Sequence, residues 1–171
     1  MKIKLVAKVA KLSQDRFTMF VMPEFVAPNR YIYAVDDEYN GVVIRGECYD
    51  RQFMFGKGAG GRPTESSLLS DITALRHSYR YEYKKSFFNP LPTYTTDLPM
   101  KIYARFSTTD LRNLLPWKRI NEEYRSDEVR YVVGEILLSD LITHRDILAA
   151  KDVFLCNIPY LFADRDDTAS A

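Results

Sequence analysis

Four of the chain's seven glycines stand within six residues, and this cluster constrains the local fold more than any other feature. Gly56, Gly58, Gly60 and Gly61 follow a strand-like run over 52–55 and precede an amphipathic helical pattern. Glycine lets a backbone turn sharply and approach a ligand closely. A helix N-terminus adds unpaired N–H groups and a partial positive charge. The pattern therefore predicts a strand-to-helix turn that suits a phosphate, a carboxylate or an amide group.

The glycine spacing excludes two common phosphate-binding signatures. No Gly-Lys followed by Ser or Thr stands at Walker A spacing. The order Gly56-x-Gly58-x-Gly60-Gly61 differs from G-x-G-x-x-G, and no βαβ pattern with a downstream acidic residue surrounds it. From spacing alone, an ordinary tight turn and a ligand-binding turn are both open.

The residues around the glycines carry a family resemblance. Residues 54–64 read MFGKGAGGRPT, and Asp71-Ile72 closes the helical stretch that follows. This run resembles homoserine dehydrogenases, which have a near-identical Met-Phe-x-Gly-x-Gly-Ala-Gly-Gly-x-Pro-Thr. Residues 3–5 (IKL), 22–26 (MPEFV) and 39–42 (YNGV) look like the family's Ile-Lys-Leu, His-Pro-Thr-Leu-Ile and Phe-Asn-Ala-Val, in the same order. The resemblance covers about the first 77 residues.

The resemblance implies a C-terminal portion of such an enzyme, either an engineered piece or a truncated gene product. In the family, the cofactor fingerprint, the catalytic lysines and the acidic residues that hold homoserine precede the matching stretch. The family interconverts L-aspartate 4-semialdehyde and L-homoserine with NADP or NAD, in threonine and methionine biosynthesis. We therefore expect this chain to need a missing N-terminal nucleotide-binding domain and to be inactive alone.

The resemblance also assigns roles to residues of the turn. The expected cofactor-binding residues are Gly58, Ala59, Gly60 and Gly61. The expected substrate-binding residues are Pro63 and Thr64. No residue is assigned a catalytic role. Lys57 stands where the family commonly has proline, and both a solvated side chain and a cation beside an anionic ligand are open.

Composition describes an ordinary soluble globular protein, with 46% apolar and 27% charged residues among 171. The net charge of +1 implies no general attraction to nucleic acid or to a membrane surface. Cys48 and Cys156 are far apart and lack CxxC or histidine companions. We expect two reduced, buried thiols in a cytoplasmic protein.

The first half of the chain is predicted to be rich in strands. Alternation over 3–9 indicates a half-buried strand with a lysine-rich outer face, and it should form an antiparallel hairpin with 17–26. A second strand pair is predicted at 39–47 and 49–55. Thr64 or Ser66 is expected to cap the following helix, with Pro63 in its first turn.

The second half resembles a reduced ACT domain, the ferredoxin-like regulatory module of many homoserine dehydrogenases. The patterns predict a strand at 101–106, a helix at 110–124 interrupted by Pro116, a strand at 130–138, a short helix at 139–149 and a strand at 153–158. Ser107 to Leu111 replace the family's Asp-x-Pro-Gly-Val effector loop, which leaves amino-acid binding open. Trp117 is expected to anchor the core of this module.

The predicted architecture is therefore α+β, with an antiparallel or mixed sheet, a helix after the glycine turn and a small ferredoxin-like module. The predicted division is 1–80 for the end of the catalytic and dimerisation domain, 81–98 for a linker, 99–163 for the ACT-like module and 164–171 for a flexible tail. Exposed strand edges favour a homodimer. A stand-alone amino-acid-binding or dimerisation module and a degenerate remnant are the alternative interpretations.

Other polar residues give weaker signals. His77 and His144 have no companion at ligand spacing, so no metal site is assigned. Glu122 and Glu123 are adjacent, which favours a solvated face over a convergent pair of carboxylates. Lys84-Lys85 in the linker could meet an anion, although a solvated position is the simpler interpretation.

Overall fold

The computed structural model describes residues 1–46, 48, 50–58, 60–79, 91–107 and 110–159. Within these ranges it contains nine strands, four α-helices and a 3₁₀ helix at Tyr31–Ala34. The strands are β1 (Lys2–Lys11), β2 (Arg16–Val26), β3 (Tyr39–Arg45), β4 (Arg51–Lys57), β5 (Thr93–Tyr94), β6 (Pro99–Phe106), β7 (Arg119–Arg125), β8 (Arg130–Leu137) and β9 (Val153–Asn157). The helices are α1 (Gly61–Arg76), α2 (Leu111–Leu114), α3 (Leu138–Thr143) and α4 (Arg145–Ala149). The α+β prediction is confirmed.

Contacts divide the chain into two compact units. One unit joins Met1–Val26 to Pro90–Ala171, and the other is Ala27–Asn89. This grouping differs from the linear division at 1–80, 81–98 and 99–163, because β2 pairs with β5 and β9. Those domain boundaries stay a prediction. The tail at 164–171, Lys84-Lys85 and most of the expected linker lie outside the described residues.

The first unit is built on one sheet with the strand order β1-β2-β9-β6-β8-β7, and β5 adds to β2. Its C-terminal part runs β6-α2-β7-β8-α3-α4-β9, with β9, β6, β8 and β7 as neighbours in that order. All pairings among these four strands are antiparallel. This connectivity and strand order are those of a ferredoxin-like β-α-β-β-α-β fold.

The helix predicted at 110–124 is wrong over most of its length. Only Leu111–Leu114 is helical, with the Asp110 carboxylate accepting a hydrogen bond from the Arg112 N–H at 3.2 Å. Pro116 cannot continue the helical hydrogen bonding, and 119–125 becomes the edge strand β7. The predicted helix at 139–149 is two short helices, α3 and α4.

The core of the first unit lies between one face of the sheet and helices α2, α3 and α4. Its buried side chains include Met100, Ile102, Ala104, Leu111, Val132, Ile136, Leu141 and Leu148. Trp117 packs against this cluster and donates its indole N–H to the Leu111 carbonyl at 3.0 Å. The expectation that Trp117 anchors this core is confirmed.

The predicted hairpin of β1 and β2 forms with antiparallel pairing from Lys2↔Val26 to Lys11↔Phe17. The expected lysine-rich outer face is wrong. Lys2, Lys4 and Lys8 are partly covered, whereas Leu5 and Val9 are 74% and 76% exposed. The inversion has an electrostatic reason, because the fully buried Glu24 lies on the covered side and contacts Lys8.

Glu24 is the centre of a buried polar cluster that attaches the hairpin to β9. Its carboxylate accepts a hydrogen bond from Asn157 Nδ2 at 2.8 Å and contacts Lys8 Nζ. Glu24 and Asn157 are also the register pair that joins β2 to β9 in parallel. A buried carboxylate is tolerated only when charged and hydrogen-bonding groups compensate for its lost hydration. The cluster therefore fixes where the hairpin docks on the ferredoxin-like sheet.

Cys156 should be much less reactive than Cys48 in the folded chain. Cys156 is buried and Cys48 is exposed, so the expectation of two buried thiols is wrong for Cys48. Burial, and then the negative charge of Glu24, raise the pKa of the Cys156 thiol to about 11. Iodoacetamide at pH 8 followed by mass spectrometry should label Cys48 first, and denaturant should equalise the two rates.

The same shift predicts a loss of stability at alkaline pH. The folded-state pKa of Cys156 exceeds its ordinary value of 9.0, so the unfolded chain releases this proton first. The contribution of Cys156 is fully present below about pH 9 and is lost as pH rises toward about 11. Between about pH 9 and pH 11, the urea midpoint of a Cys156→Ala variant should fall less than that of wild type. An equal fall in the two proteins would contradict the raised pKa of Cys156.

The second unit contains the β3–β4 hairpin and α1. Rings from the hairpin and the preceding 3₁₀ helix stack on each other, with centroids 5.3 Å apart for Tyr31–Phe53 and 4.7 Å apart for Tyr39–Phe55. The large apolar residues of α1 are exposed, at 57% for Leu68 and 73% for Leu75. No described helix is both long and apolar enough to cross a membrane.

Candidate functional site

The glycine turn is positioned by the β3–β4 hairpin. Tyr39 pairs with Lys57 and Asn40 pairs with Gly56 at the open end of the hairpin. The Gly58 N–H then donates to the Glu38 carbonyl at 3.3 Å, which extends the ladder one step past β4. The pairing therefore defines the backbone position at the start of the turn, and α1 begins at Gly61.

Gly60 is the residue that reverses the chain between strand and helix. Its φ of +103° lies where L side chains are rare, and it is the N-cap of α1. No side chain caps the helix at this position. The prediction that Thr64 or Ser66 caps α1 is wrong, because the helix begins earlier and the Thr64 hydroxyl donates back to the Gly60 carbonyl at 2.9 Å. Pro63 does lie in the first helical turn, as expected.

The glycines of the cluster have different surroundings. The space where a side chain would stand is open at Gly56 and at Gly61, with no atom within 4 Å. At Gly58 the same space is filled by the Asn40 amide. A ligand could therefore approach the backbone closely at Gly61 without displacing a protein group.

Lys57 is held at the start of the turn by an ion pair. Its Nζ lies 2.7 Å from Glu38 Oε1 and 5.2 Å from the centroid of the Tyr39 ring. The hydrogen bond from Lys57 lowers the pKa of Glu38, and the same bond raises the pKa of Lys57. The cation is thus matched by a carboxylate, and both side chains are about half exposed. Of the two open interpretations of Lys57, this geometry favours the solvated one.

The structure places the described candidate residues in one short stretch. Gly58 ends the extended strand, Gly60 reverses the chain, and Gly61, Pro63 and Thr64 form the first turn of α1. Ala59 lies outside the described residues. The binding roles of all six candidates stay predictions.

Sequence reasoning missed two residues of the site, Glu38 and Asn40. Glu38 directly precedes β3, Asn40 lies in β3, and both contact residues of the turn. Counting outward from the hairpin's own turn would have paired position 40 with position 56, so the signal was present in the strand spacing.

The remaining polar candidates lie elsewhere and have local partners. His144 Nδ1 is 2.7 Å from the Asp140 carbonyl oxygen, and His77 follows the end of α1. Glu122 accepts a hydrogen bond from the Tyr131 hydroxyl at 2.5 Å, whereas Glu123 pairs with Arg112 at 3.1 Å. The two carboxylates therefore do not converge, as predicted. Among the described residues, no three acidic, cysteine or histidine side chains gather as a metal site would require.

The chain's similarity to known proteins runs through the glycine turn. Residues 1–73 match the family model described as homoserine dehydrogenase, and the match ends inside α1. This segment is similar to homoserine dehydrogenases. The homoserine dehydrogenase of Bacillus subtilis is 29% identical over 98 residues, covering 57% of this chain and 23% of that protein. The homoserine dehydrogenase of Corynebacterium glutamicum is 25% identical over 174 residues, covering 88% of this chain and 39% of that protein.

Solved homoserine dehydrogenases share the fold over nearly the whole chain. The structure from Thiobacillus denitrificans aligns with a TM-score of 0.62 at 18% identity, covering 92% of this chain and 42% of that one. A Staphylococcus aureus structure aligns with a TM-score of 0.51 at 18% identity, covering 94% of this chain and 42% of that one. The chain thus spans about two-fifths or less of the length of these relatives.

Proposed function

We propose that this chain is the C-terminal portion of a homoserine dehydrogenase that interconverts L-aspartate 4-semialdehyde and L-homoserine with NADP or NAD. The family match through the glycine turn carries the proposal. The geometry of that turn supports it, because Gly60 has a positive φ and Gly61 has open space beside its backbone. The reaction would belong to threonine and methionine biosynthesis, in the cytoplasm.

The turn would form one wall of the pocket. Gly58, Gly60 and Gly61, together with Ala59, would hold the nicotinamide end of the cofactor. Pro63 and Thr64 would face the substrate. The first turn of α1 carries no acidic side chain, so its positive end is left uncompensated for an amide or a carboxylate. The nicotinamide supplies hydride transfer when bound, and the turn's task is to orient and to exclude water.

The isolated chain should not turn over. The family's cofactor fingerprint and catalytic lysines precede the stretch that this chain matches, and no described residue is assigned to proton transfer. A nucleotide-binding domain, joined upstream or supplied by another chain, would complete the site.

The decisive measurement uses the protein as its source cell makes it. Antibody raised to this chain would capture the native polypeptide, whose mass and homoserine-dependent NAD(P)⁺ reduction are then measured. We expect a polypeptide at least about twice this mass with homoserine dehydrogenase activity. As a control, an active homoserine dehydrogenase is captured and assayed in the same way, which shows whether the procedure itself preserves activity. A captured polypeptide of this chain's mass, without activity, would overturn the proposal.

Replacement of Gly60 by alanine should impair that activity. Alanine at a φ of +103° is strained, so the turn must shift, and small misplacements in an active site commonly cost about tenfold or more in kcat/KM. A Gly56→Ala variant is the matched control and should retain activity, because no atom lies within 4 Å of the Cβ position there. Equal kinetics for Gly60→Ala and wild type would argue against a role for the turn.

A second candidate function is amino-acid binding or dimerisation by the first unit. The observation that favours it is the ferredoxin-like order β9-β6-β8-β7, the topology of ACT-like regulatory modules. The strands β1 and β7 end the described sheet and could pair with a second copy. Calorimetry with threonine, methionine, isoleucine and lysine tests effector binding, and sedimentation tests dimerisation. Absence of heat at millimolar ligand would leave only the assembly role.

A further inference from the structure

Asn40 lies against the glycine turn from the opposite strand. A Cβ built on Gly58 would stand 1.7 Å from Asn40 Nδ2 and 2.9 Å from Asn40 Cγ. The backbone partner of Asn40 is Gly56, yet no atom lies within 4 Å of the Cβ position there. The Asn40 side chain therefore leans along β4 toward the turn and fills the space that a side chain at position 58 would need.

Gly58 and Gly60 are consequently glycines for different reasons. Gly60 has a φ of +103°, which excludes most side chains whatever the space. Among the described glycines only Gly60 has a positive φ, so backbone conformation does not exclude a larger residue at Gly58. A methyl group at position 58 would instead displace the exposed end of the Asn40 side chain from the turn.

The residues that precede Asn40 make several contacts with β4. Glu38 accepts a hydrogen bond from the Gly58 N–H at 3.3 Å, and its carboxylate pairs with Lys57 at 2.7 Å. Tyr39 lies under the Lys57 ammonium group and stacks on Phe55. Asn40 follows these two residues in the chain and pairs with Gly56, so its backbone register on the hairpin is defined.

We propose that Asn40 is a positioning residue for the glycine turn of the homoserine dehydrogenase site. The inference rests on the proposed function. The Asn40 side chain acts as a wedge that sets the path of the backbone at Gly58 and, through it, the placement of Gly60 and Gly61. Its exposed carboxamide stays beside the turn, where its N–H and C=O groups can also meet the bound ligand.

The test substitutes Asn40 in the complete polypeptide, which is purified from its source or expressed from its gene. Asn40→Ala should lower kcat for homoserine oxidation about tenfold, while the thermal midpoint stays within about 2 °C of wild type because Asn40 is exposed. Asn29→Ala is the control, since Asn29 is an exposed asparagine of the same unit away from the turn. It should match wild type in both measurements.

A second arm tests the steric contact itself. Gly58→Ala should lower kcat with little change in the thermal midpoint, because its methyl group would displace the exposed Asn40 amide from the turn. In the Asn40→Ala/Gly58→Ala double variant kcat should be no lower than in Asn40→Ala, because the contact is already lost. Additive losses of kcat would mean that the two residues act independently and would contradict the inference.

The outcomes distinguish the inference from the function on which it rests. If wild type oxidises homoserine and Asn40→Ala has the same kcat, Asn40 is not a positioning residue and the proposed function stands. A fall in the thermal midpoint of Asn40→Ala that matches its loss of activity would make Asn40 merely structural, which also overturns the inference. If wild type shows no homoserine-dependent activity in the assay, the proposed function fails and the inference fails with it.

Discussion

Glu24→Ala should lower the free energy of unfolding of this chain by about 3–5 kcal/mol. The substitution leaves Lys8 and Asn157 on the covered side of the hairpin without the carboxylate that both contact. It also removes the side-chain hydrogen bond that accompanies the register pair between β2 and β9. Urea unfolding followed by far-ultraviolet circular dichroism measures the change at neutral pH.

The matched control removes a carboxylate from an exposed ion pair of the same unit. Glu123→Ala breaks the contact with Arg112, whose side chain is 57% exposed, and should cost less than about 1 kcal/mol. A double replacement, Lys8→Met with Glu24→Leu, should be less damaging than Glu24→Ala because no charge is left without its partner. If Glu24→Ala and Glu123→Ala were equally mild, the cluster would not hold the hairpin to β9.

Gly134→Ala should destabilise the chain by about 1–3 kcal/mol through overpacking. Gly134 lies in the middle of β8, between Ile102 of β6 and Ile120 of β7. A Cβ there would stand 2.6 Å from the Arg119 carbonyl oxygen and 2.7 Å from Trp117 Cε3. The first neighbour is backbone and the second is a ring that hydrogen-bonds to Leu111, so neither can move away easily.

Gly56→Ala provides the comparison for Gly134→Ala. Both glycines lie in strands, but no atom stands within 4 Å of a Cβ at Gly56. Alanine in a strand loses less chain entropy than glycine on folding, so Gly56→Ala should leave the midpoint of urea unfolding unchanged or slightly raised. Equal losses in the two variants would show that strand propensity, rather than the Trp117 contact, determines the cost.

The alternation of apolar and polar residues predicted most of the strands in the first half of the chain. Alternation over 3–9 and 17–26 predicted the hairpin of β1 and β2, and the runs around Gly46 predicted β3 and β4. Short-range periodicity predicts strands well because alternate side chains of a strand point to the same face of the sheet. It did not report which face would be covered, since Lys8 turns toward Glu24 from the next strand.

The error over 110–124 has a similar origin. A stretch with leucines near its start and acidic residues near its end satisfies a helical pattern, yet Pro116 stops the helix after α2. The following residues then form β7, because β8 offers an unpaired edge and Ile120 packs against the core. The periodicity within a stretch does not indicate whether it will pair with a strand that comes later in the chain.

The sequence by itself determined the glycine turn, the helix after it and the similarity of residues 1–73 to homoserine dehydrogenases. These depend on residue types that act locally, because glycine alone tolerates the dihedral angles at Gly60. Only the tertiary structure decided that Gly58 is constrained by Asn40 and that Glu24 joins Lys8 to Asn157. Those contacts unite residues 16 to 133 positions apart, and which side chains meet depends on how the strands fold against one another.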